Sequence, residues 1–143
     1  MFINEYYHNL DEKGRITMPS KFREQLGDEL FLTKGMEKCL FCYPKTGFYI
    51  LTDKLNKLSL TRKEARAFSR MFFAGASNQK FDKQGRFLIP KNLREYANIT
   101  SDVAIIGVSS RIEIWDKKAW EDYSNLNSMK FDELSEQIAD LDL

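Results

Sequence analysis

The chain contains one short motif twice, and this duplication constrains its fold more than any other feature. The first copy is Asp11-Glu12-Lys13-Gly14-Arg15 and the second is Asp82-Lys83-Gln84-Gly85-Arg86, each followed four residues later by a proline. The shared Asp, Gly, Arg and Pro recur at one constant offset (82 − 11 = 71). A repeat of this length is too long for a solenoid unit. Two copies predict a pseudo-two-fold domain in which each half completes the core of the other.

Similar local patterns surround each copy of the motif. A short strand leads into an Asp-x-x-Gly turn, where glycine gives the backbone the freedom that such a turn needs. A return strand follows, and the proline ends strand pairing and suits the first turn of a helix. A hairpin comes next, and in the first half Pro44 and Gly47 are predicted to break the chain after it. The predicted strands are 6–10, 15–18, 30–33, 39–43, 86–89, 103–106 and 111–115, with another ending at Phe81, and the predicted helices are 20–26, 48–58 and 91–96.

A further helix is predicted between the two halves, ending at residues 73–76. Thr61 and Glu64 match a capping box at its start. Its apolar face comprises Ala65, Phe68 and Phe72. A basic stripe on another face comprises Arg62, Arg66 and Arg70. This stripe is interpreted first as a solvated surface, then as a receptor for an acidic segment, and last as a phosphate contact.

Charge is distributed unevenly along the chain, although the net charge is only +1. Residues 1–120 hold 21 Lys and Arg against 14 acids, which gives +7. Residues 121–143 hold one base, Lys130, and seven acids: Glu121, Asp122, Asp132, Glu133, Glu136, Asp140 and Asp142. A basic body with an acidic tail is compatible with a polyanionic partner, and two solvated surfaces of opposite sign are the alternative.

The tail also carries an apolar stripe with helical spacing, formed by Phe131, Leu134, Ile138 and Leu141. We therefore expect an acidic amphipathic helix over 121–143. It would pack on the body, pack on another subunit, or fray.

Composition excludes several classes of protein. A hydrophobic fraction of 43% over 143 residues supports one ordinary core or two small units that share one. No apolar run approaches the roughly 20 residues of a membrane helix, and we expect no signal peptide because no basic segment leads into an apolar one at the N-terminus. Two cysteines without an export signal favour a reducing cytoplasm.

The repeated turn has a structural and an intermolecular interpretation. Asp and Gly belong in turns for local reasons, but turn geometry does not explain an arginine directly after the glycine in both copies. Arginine presents a planar fork of donors that matches phosphate, or O6 and N7 of guanine, and a two-stranded ribbon can enter the major groove. The turns therefore favour DNA binding, with a structural ion pair within the unit as the main alternative.

The candidate DNA-binding residues all lie in the two turns. The arginines would make the main contacts, the lysines would contact phosphate, and the aspartates would shape the tips or accept a hydrogen bond from cytosine. These candidates are Asp11, Lys13, Gly14, Arg15, Asp82, Lys83, Gly85 and Arg86. Two tips per chain bind DNA weakly, so useful affinity requires several subunits on repeated sites about 10 bp apart.

No residue constellation points to catalysis, a metal or a cofactor. His8 is the only histidine and stands in a predicted strand without a catalytic partner. Cys39 and Cys42 have thioredoxin-like spacing, but they lack the strand-to-helix setting, and two thiols supply only two of zinc's usual four ligands. Trp115 and Trp120 favour core or interface anchors over stacking platforms. We therefore expect a non-enzymatic protein with no cofactor and no small-molecule substrate.

Both halves resemble proteins of the MraZ family up to about Trp120, whereas the acidic tail is less family-like. One departure is Asn4, where many relatives have glycine. Lys13 is matched in the second copy by Gln84, so we expect the two tips to contribute unequally. The stretches that carry the resemblance are Met1-Phe2, Tyr6-x-His8-x-Leu10-Asp11-x-Lys13-Gly14-Arg15, Pro19-x-x-Phe22-Arg23, Phe72-Phe73-Ala74-Gly75-Ala76, Asp82-x-x-Gly85-Arg86 and Ile89-Pro90-x-x-Leu93-Arg94.

The resemblance implies an α+β fold in which two tandem AbrB-like swapped-hairpin units form a pseudo-two-fold double-split β-barrel with flanking helices. The expected division is 1–58 for the first unit, 59–78 for a linker helix, 79–120 for the second unit and 121–143 for the tail. It further implies a transcriptional regulator, associated with the nucleoid, that forms a closed homo-oligomeric ring on double-stranded DNA.

Its sites would be tandem direct repeats upstream of the division and cell-wall gene cluster, including its own gene. The family's Asp-x-x-x-Arg motif maps onto Asp11 and Arg15 and onto Asp82 and Arg86. The alternative function is an antitoxin-like protein-binding module of the same fold.

Overall fold

The computed structural model describes residues 1–141, so Asp142 of the predicted acidic tail lies outside the described residues. These residues form eight strands, namely β1 (Glu5–Asn9), β2 (Arg15–Thr17), β3 (Glu29–Lys34), β4 (Leu40–Tyr43), β5 (Ser77–Lys80), β6 (Arg86–Leu88), β7 (Asp102–Val108) and β8 (Arg111–Asp116). Six helices complete the described part: α1 (Ser20–Leu26), α2 (Lys45–Asn56), α3 (Lys63–Ala74), α4 (Lys91–Tyr96), α5 (Lys117–Ser128) and α6 (Phe131–Glu136). Helices α1 and α4 have the predicted bounds.

Six strands form one antiparallel sheet with the order β1-β7-β8-β4-β3-β5, and β2 pairs with β6 in a separate two-stranded sheet. The order is symmetric about the β8–β4 pair. Strands β1, β7 and β8 on one side correspond in the repeat to β5, β3 and β4 on the other. The first strand of each half therefore pairs with the sheet of the other half, through β1 on β7 and β5 on β3. Such exchange joins the two halves into one body.

The finer barrel prediction is not confirmed, because the larger sheet is open. Within residues 1–141, no pairing joins its two edge strands, β1 and β5. The mixed helix–strand class and the antiparallel pairing are observed, and the closed arrangement of the barrel is not.

The main core lies where the small sheet and helices α1 and α4 cover the larger sheet. Phe22 of α1 and Leu93 of α4 are both about 1% exposed or less, and Ile16 and Phe87 face each other across the β2–β6 pair. Fully burying an aliphatic or aromatic side chain stabilises the fold by about 1.5–3 kcal/mol. The two short strands that carry the arginine turns are thus fastened to the core by their central residues.

Two local predictions were wrong. Helix α2 begins at Lys45 rather than at residue 48, so Gly47 lies inside the helix instead of breaking the chain before it. The capping box is absent, because α3 begins at Lys63 with Arg62 as its N-cap and without a side-chain cap. Thr61 instead shares a hydrogen bond of 2.7 Å with the hydroxyl of Ser59.

The C-terminal region also differs from the single acidic helix expected over 121–143. Helix α5 begins four residues earlier, packs against β7 and β8, and is followed by the short helix α6. Asp116 caps α5 by accepting a hydrogen bond of 3.0 Å from the backbone of Ala119. Helices α2 and α5 both have 12 residues and lie 72 positions apart, so they are counterparts in the repeat.

Asn4 explains one departure from the family pattern. Its φ angle is +79°, in the left-handed region that glycine adopts without strain and that asparagine tolerates. Its side-chain oxygen accepts a hydrogen bond of 2.9 Å from the backbone of Glu5. Asparagine can therefore replace glycine at this position at small energetic cost.

Candidate nucleic-acid interface

The first turn is organised by the carboxylate of Asp11. Its Oδ1 accepts backbone hydrogen bonds from Lys13 at 2.9 Å and from Arg15 at 2.8 Å, while its Oδ2 accepts from Arg15 Nε at 2.8 Å. The backbone N–H of Arg15 is the largest cause that lowers the pKa of Asp11 below its ordinary value, and the Arg15 side chain adds to this effect. One carboxylate thus fixes both the turn and the arginine.

The second turn repeats this geometry. Oδ1 of Asp82 accepts from the backbone of Gln84 and of Arg86, both at 2.9 Å, and Oδ2 accepts from Arg86 Nε at 2.8 Å. The backbone N–H of Arg86 is again the first cause that lowers the pKa of the aspartate. The two copies of the motif therefore build the same local structure.

The two tips lie side by side because β2 and β6 pair with each other. Arg15 is opposite Leu88 and Thr17 is opposite Arg86 in this antiparallel register. Arg86 Nη1 lies 3.8 Å from Oδ2 of Asp11, so a charge contact also crosses between the tips. The sequence predicts two tips, and the structure brings them together on one ribbon.

Both turn glycines are buried and have positive φ, +81° at Gly14 and +76° at Gly85. Each glycine carbonyl accepts a backbone hydrogen bond from the other half, Gly85 from Met18 at 3.0 Å and Gly14 from Ile89 at 2.9 Å. A side chain at either position would strain the backbone. The glycines therefore serve both the turn and the junction between the halves.

The arginine side chains are partly exposed rather than enclosed. Arg15 is 31% exposed and Arg86 is 28% exposed. The contact with the partner aspartate uses Nε, and the two terminal nitrogens of each guanidinium carry its other four N–H donors. Lys13 and Lys83 are exposed beside them. The structural ion pair that competes with DNA binding is therefore present, and it occupies one edge of each guanidinium.

The comparison with known proteins agrees with the duplication. The profile of the family described as "MraZ protein, putative antitoxin-like" matches residues 1–71 and again residues 72–142. The chain belongs to the MraZ family. Each matched half contains one Asp–Arg turn, so the family profile and the paired tips divide the chain in the same way.

Several relatives carry the name "Transcriptional regulator MraZ". The one from Finegoldia magna is 65% identical over 143 residues, which cover 100% of both chains. The one from Clostridium tetani is 52% identical over 141 residues, covering 99% of both, and one from a Thermoanaerobacter strain is 50% identical over 143 residues, covering 100% of both. A solution structure from Pyrococcus horikoshii aligns with 80% of this chain and 88% of its own at 17% identity, but its TM-score of 0.32 supports no argument.

Two further arginines lie at this candidate interface, and the sequence analysis gave them no role. Arg23 of α1 packs against Gly85, and Arg94 of α4 packs against Gly14, so each guanidinium lies beside the turn of the other half. Arg23 Nε donates to the carbonyl of Met18 at 3.1 Å, whereas Arg94 Nε is buried without a hydrogen-bond partner among residues 1–141. The sequence contains one sign that these two arginines are equivalent, because they are separated by the offset of the repeat (94 − 23 = 71).

Around the ribbon, bases outnumber acids. The two turns and the two arginines beside them contain three acids, Asp11, Glu12 and Asp82. They contain six bases: Lys13, Arg15, Arg23, Lys83, Arg86 and Arg94. A cluster of this sign attracts a polyanion at low ionic strength.

The cysteines and the histidine, for which the sequence analysis predicted no catalytic or metal-binding role, lie in the larger sheet and its core rather than on the ribbon. Cys39 and Cys42 are free and buried in two different apolar clusters, and burial raises the pKa of both thiols. His8 pairs with Val103 between β1 and β7. Within the described part of the chain, no group of three or more His, Cys, Asp or Glu could hold a metal ion, and no helix is long and apolar enough to cross a bilayer.

Proposed function

We propose that this chain is a sequence-specific, DNA-binding transcriptional regulator without catalytic activity. One observation carries the proposal: two Asp–Arg tips with the same hydrogen-bond geometry lie side by side on the β2–β6 ribbon. The name of the relatives, transcriptional regulator, supports the same assignment and is not that of an enzyme class.

The geometry suits an incoming DNA strand because each arginine is held in advance. Asp11 and Asp82 fix Nε and leave the outer edge of the guanidinium for phosphate or for guanine O6 and N7. A side chain that is ordered before binding loses less conformational entropy when it binds. Lys13 and Lys83 would contact phosphate, and Gly14 and Gly85 allow the tight turns.

A purely structural role for the ion pairs is the competing explanation. Partly exposed ion pairs stabilise proteins by only about 0–1 kcal/mol, and the carboxylates already organise the turns through backbone hydrogen bonds. The turns therefore do not depend on the guanidinium for their shape. Removal of the arginine separates the two explanations, because it should spare the fold and weaken DNA binding.

We propose the finer architecture together with this function. The exchange of β1 and β5 between halves supports the swapped-hairpin arrangement of a double-split barrel. The division would be a first unit at 1–58, a linker helix at 59–78, a second unit at 79–120 and the acidic tail at 121–143.

Several chains would close into a ring on tandem direct repeats upstream of the division and cell-wall gene cluster, including the chain's own gene, at the nucleoid. A few contacts per chain give weak binding, and linked copies on spaced sites multiply it.

The test is a DNA retardation and footprint experiment on the region upstream of the chain's own gene, with Arg15→Ala as the variant. We expect weaker binding with unchanged folding and association. Lys54→Ala, which removes one positive charge from α2 away from the ribbon, is the control. Full operator affinity of Arg15→Ala at moderate salt would count against the site.

An antitoxin-like role is the second candidate, because the family description itself includes that term. In that case the protein would copurify with one stoichiometric protein and would not retard DNA. The acidic tail would then cover the partner. The same retardation experiment, joined to a purification from the native host, separates the two functions.

A further inference from the structure

A groove between helices α2 and α3 combines exposed apolar residues with positive charge. It has a volume of about 450 Å³, and its apolar wall includes Leu58, Leu60 and Phe73, which are 41%, 82% and 36% exposed. Arg66 and Arg70 of α3 form part of the lining. Arg66 Nη1 donates to the carbonyl of Leu60 at 2.9 Å and so holds the connecting loop in place.

The surroundings of the groove are strongly basic. Residues 57–70 contain one acid, Glu64, and five bases: Lys57, Arg62, Lys63, Arg66 and Arg70. Exposed apolar surface bordered by charge of one sign is typical of an interaction site rather than of ordinary solvated surface. The ligand that fits is an apolar segment with acidic flanks.

Such a segment is present at the end of the same chain. Phe131, Leu134, Ile138 and Leu141 are 69%, 37%, 55% and 41% exposed. Their spacing of three, four and three residues is that by which an amphipathic helix anchors in a groove, and α6 forms the part of it that contains Phe131 and Leu134. Residues 131–141 also contain four acids, Asp132, Glu133, Glu136 and Asp140, and no Lys or Arg. Sequence and exposure thus match the tail to the groove in both apolar pattern and charge.

The second helix of each helix pair differs in burial between the two halves of the chain. Helix α3, which follows α2, buries Phe72 against Phe48 with ring centroids 6.2 Å apart, and its Phe72 carbonyl accepts from Thr33 Oγ1 at 2.8 Å. Helix α6, which follows α5, contains no buried residue. Within residues 1–141, the apolar residues of the tail therefore remain largely exposed.

Within residues 1–141, no tail residue lines the α2–α3 groove of the same chain. Helices α2 and α5 begin directly after β4 and β8, and these two strands are antiparallel neighbours. Helices α2 and α5 consequently begin at opposite ends of the β4–β8 pair, whereas the last turn of α3 returns to β3, where the Phe72 carbonyl accepts from Thr33. Complementary surfaces that do not meet within one chain can associate head to tail between copies, and such contacts close into rings when the rotation allows.

We infer that the acidic tail of one copy docks in the α2–α3 groove of the next copy. This inference rests on the self-association proposed above and supplies its contact surface, and it does not depend on DNA binding. The apolar residues of the tail would enter the groove, and its carboxylates would face Arg66 and Arg70. The exposed ionic part makes the contact weaken as salt rises.

Disulfide trapping tests the contact on the full chain, because both native cysteines are buried. Leu60→Cys and Ile138→Cys are introduced together and oxidised mildly in the folded protein. We expect covalent dimers and longer ladders on a denaturing gel. The control pairs Ile138→Cys with Lys91→Cys, since Lys91 is 82% exposed on α4 and lies outside the groove. It should form few ladders.

Three results would overturn the inference: a fast-migrating monomer with an internal disulfide, ladders of equal yield in the control, or no disulfide at all. The first would place the tail on its own groove. All three concern the contact between copies and not the contacts of Arg15 and Arg86 with DNA. DNA retardation by the wild type and by Arg15→Ala is measured separately, so this failure is distinguishable from failure of the proposed function.

Charge reversal gives a second readout. Arg70→Glu is chosen because Arg66 also holds the loop, and Glu136→Arg is its counterpart in the tail. By sedimentation at low salt, each single change should raise the dissociation constant of self-association at least about 10-fold, and the combination should recover most of that loss. Unchanged association in both single variants would contradict the proposed contact, as would a wild-type protein that stays monomeric at all concentrations.

Discussion

Replacing Gly85 by alanine tests the claim that each turn depends on the other half of the chain. The φ angle of +76° makes an alanine strained by about 1–2 kcal/mol. The added Cβ would also lie 2.5 Å from Cζ of Arg23. Because that atom belongs to a flexible side chain, the guanidinium should move rather than the backbone. Its hydrogen bond to the carbonyl of Met18 would be lost, at about 0.5–1.5 kcal/mol. Strain and the lost hydrogen bond together predict a destabilisation of about 1.5–3.5 kcal/mol.

Urea unfolding measures this loss, and a double-mutant cycle identifies its source. In the Gly85→Ala background, Arg23→Ala should reduce stability less than it does in the wild type, because the contact is already broken. Gly27→Ala is the control for positive φ without a neighbouring side chain, since φ there is +84° and nothing lies within 4 Å of the added carbon. It should destabilise the fold and spare DNA binding. An additive cycle would refute the reasoning, and so would a Gly85→Ala loss smaller than one hydrogen bond contributes, about 0.5 kcal/mol.

Two further predictions follow from ionisation. The folded-state pKa of Asp82, like that of Asp11, lies below its unfolded value of about 3.9. The resulting stabilisation is therefore fully present above that value and is lost as pH falls through the folded-state pKa. Carboxyl NMR titration should show both midpoints below about 3.9, and midpoints at or above it would contradict the turn geometry. Cys39 and Cys42 should react with a thiol reagent only after denaturation, since burial disfavours both thiolates. Rapid labelling of the native chain would contradict their placement.

The elements that local chemistry controls could be predicted from the sequence. Helices α1 and α4 follow from a proline at the start and apolar residues four apart, as with Phe22 and Leu26, and the turn conformation follows from Asp and Gly. The helix-start prediction at Thr61 failed because α3 begins at Lys63 with Arg62 as its N-cap, while the Thr61 hydroxyl shares a hydrogen bond with Ser59 in the preceding loop. Gly47 was misread because a glycine early in a helix resembles a breaker when only the sequence is considered.

The long-range part of the site was beyond sequence reasoning for a physical reason. The packing of Arg23 on Gly85 and of Arg94 on Gly14 exists only because β2 pairs with β6, a strand from the other half of the chain. No local propensity encodes which strand pairs with which, and the open edge of the large sheet was likewise not foreseen. The repeat offset indicated the counterparts without showing that they cross between halves.

The most direct test of the paired-tip account compares the DNA affinity of four proteins over a range of salt concentrations. These are the wild type, Arg15→Ala, Arg86→Ala and the double variant, each measured on the upstream repeats and on scrambled repeats. If the arginines read base edges, each single variant should lose about 1–3 kcal/mol of preference for the true repeats, and the double variant should retain little preference. Equal preference in all four proteins, with folding and association intact, would show that the two tips do not recognise DNA.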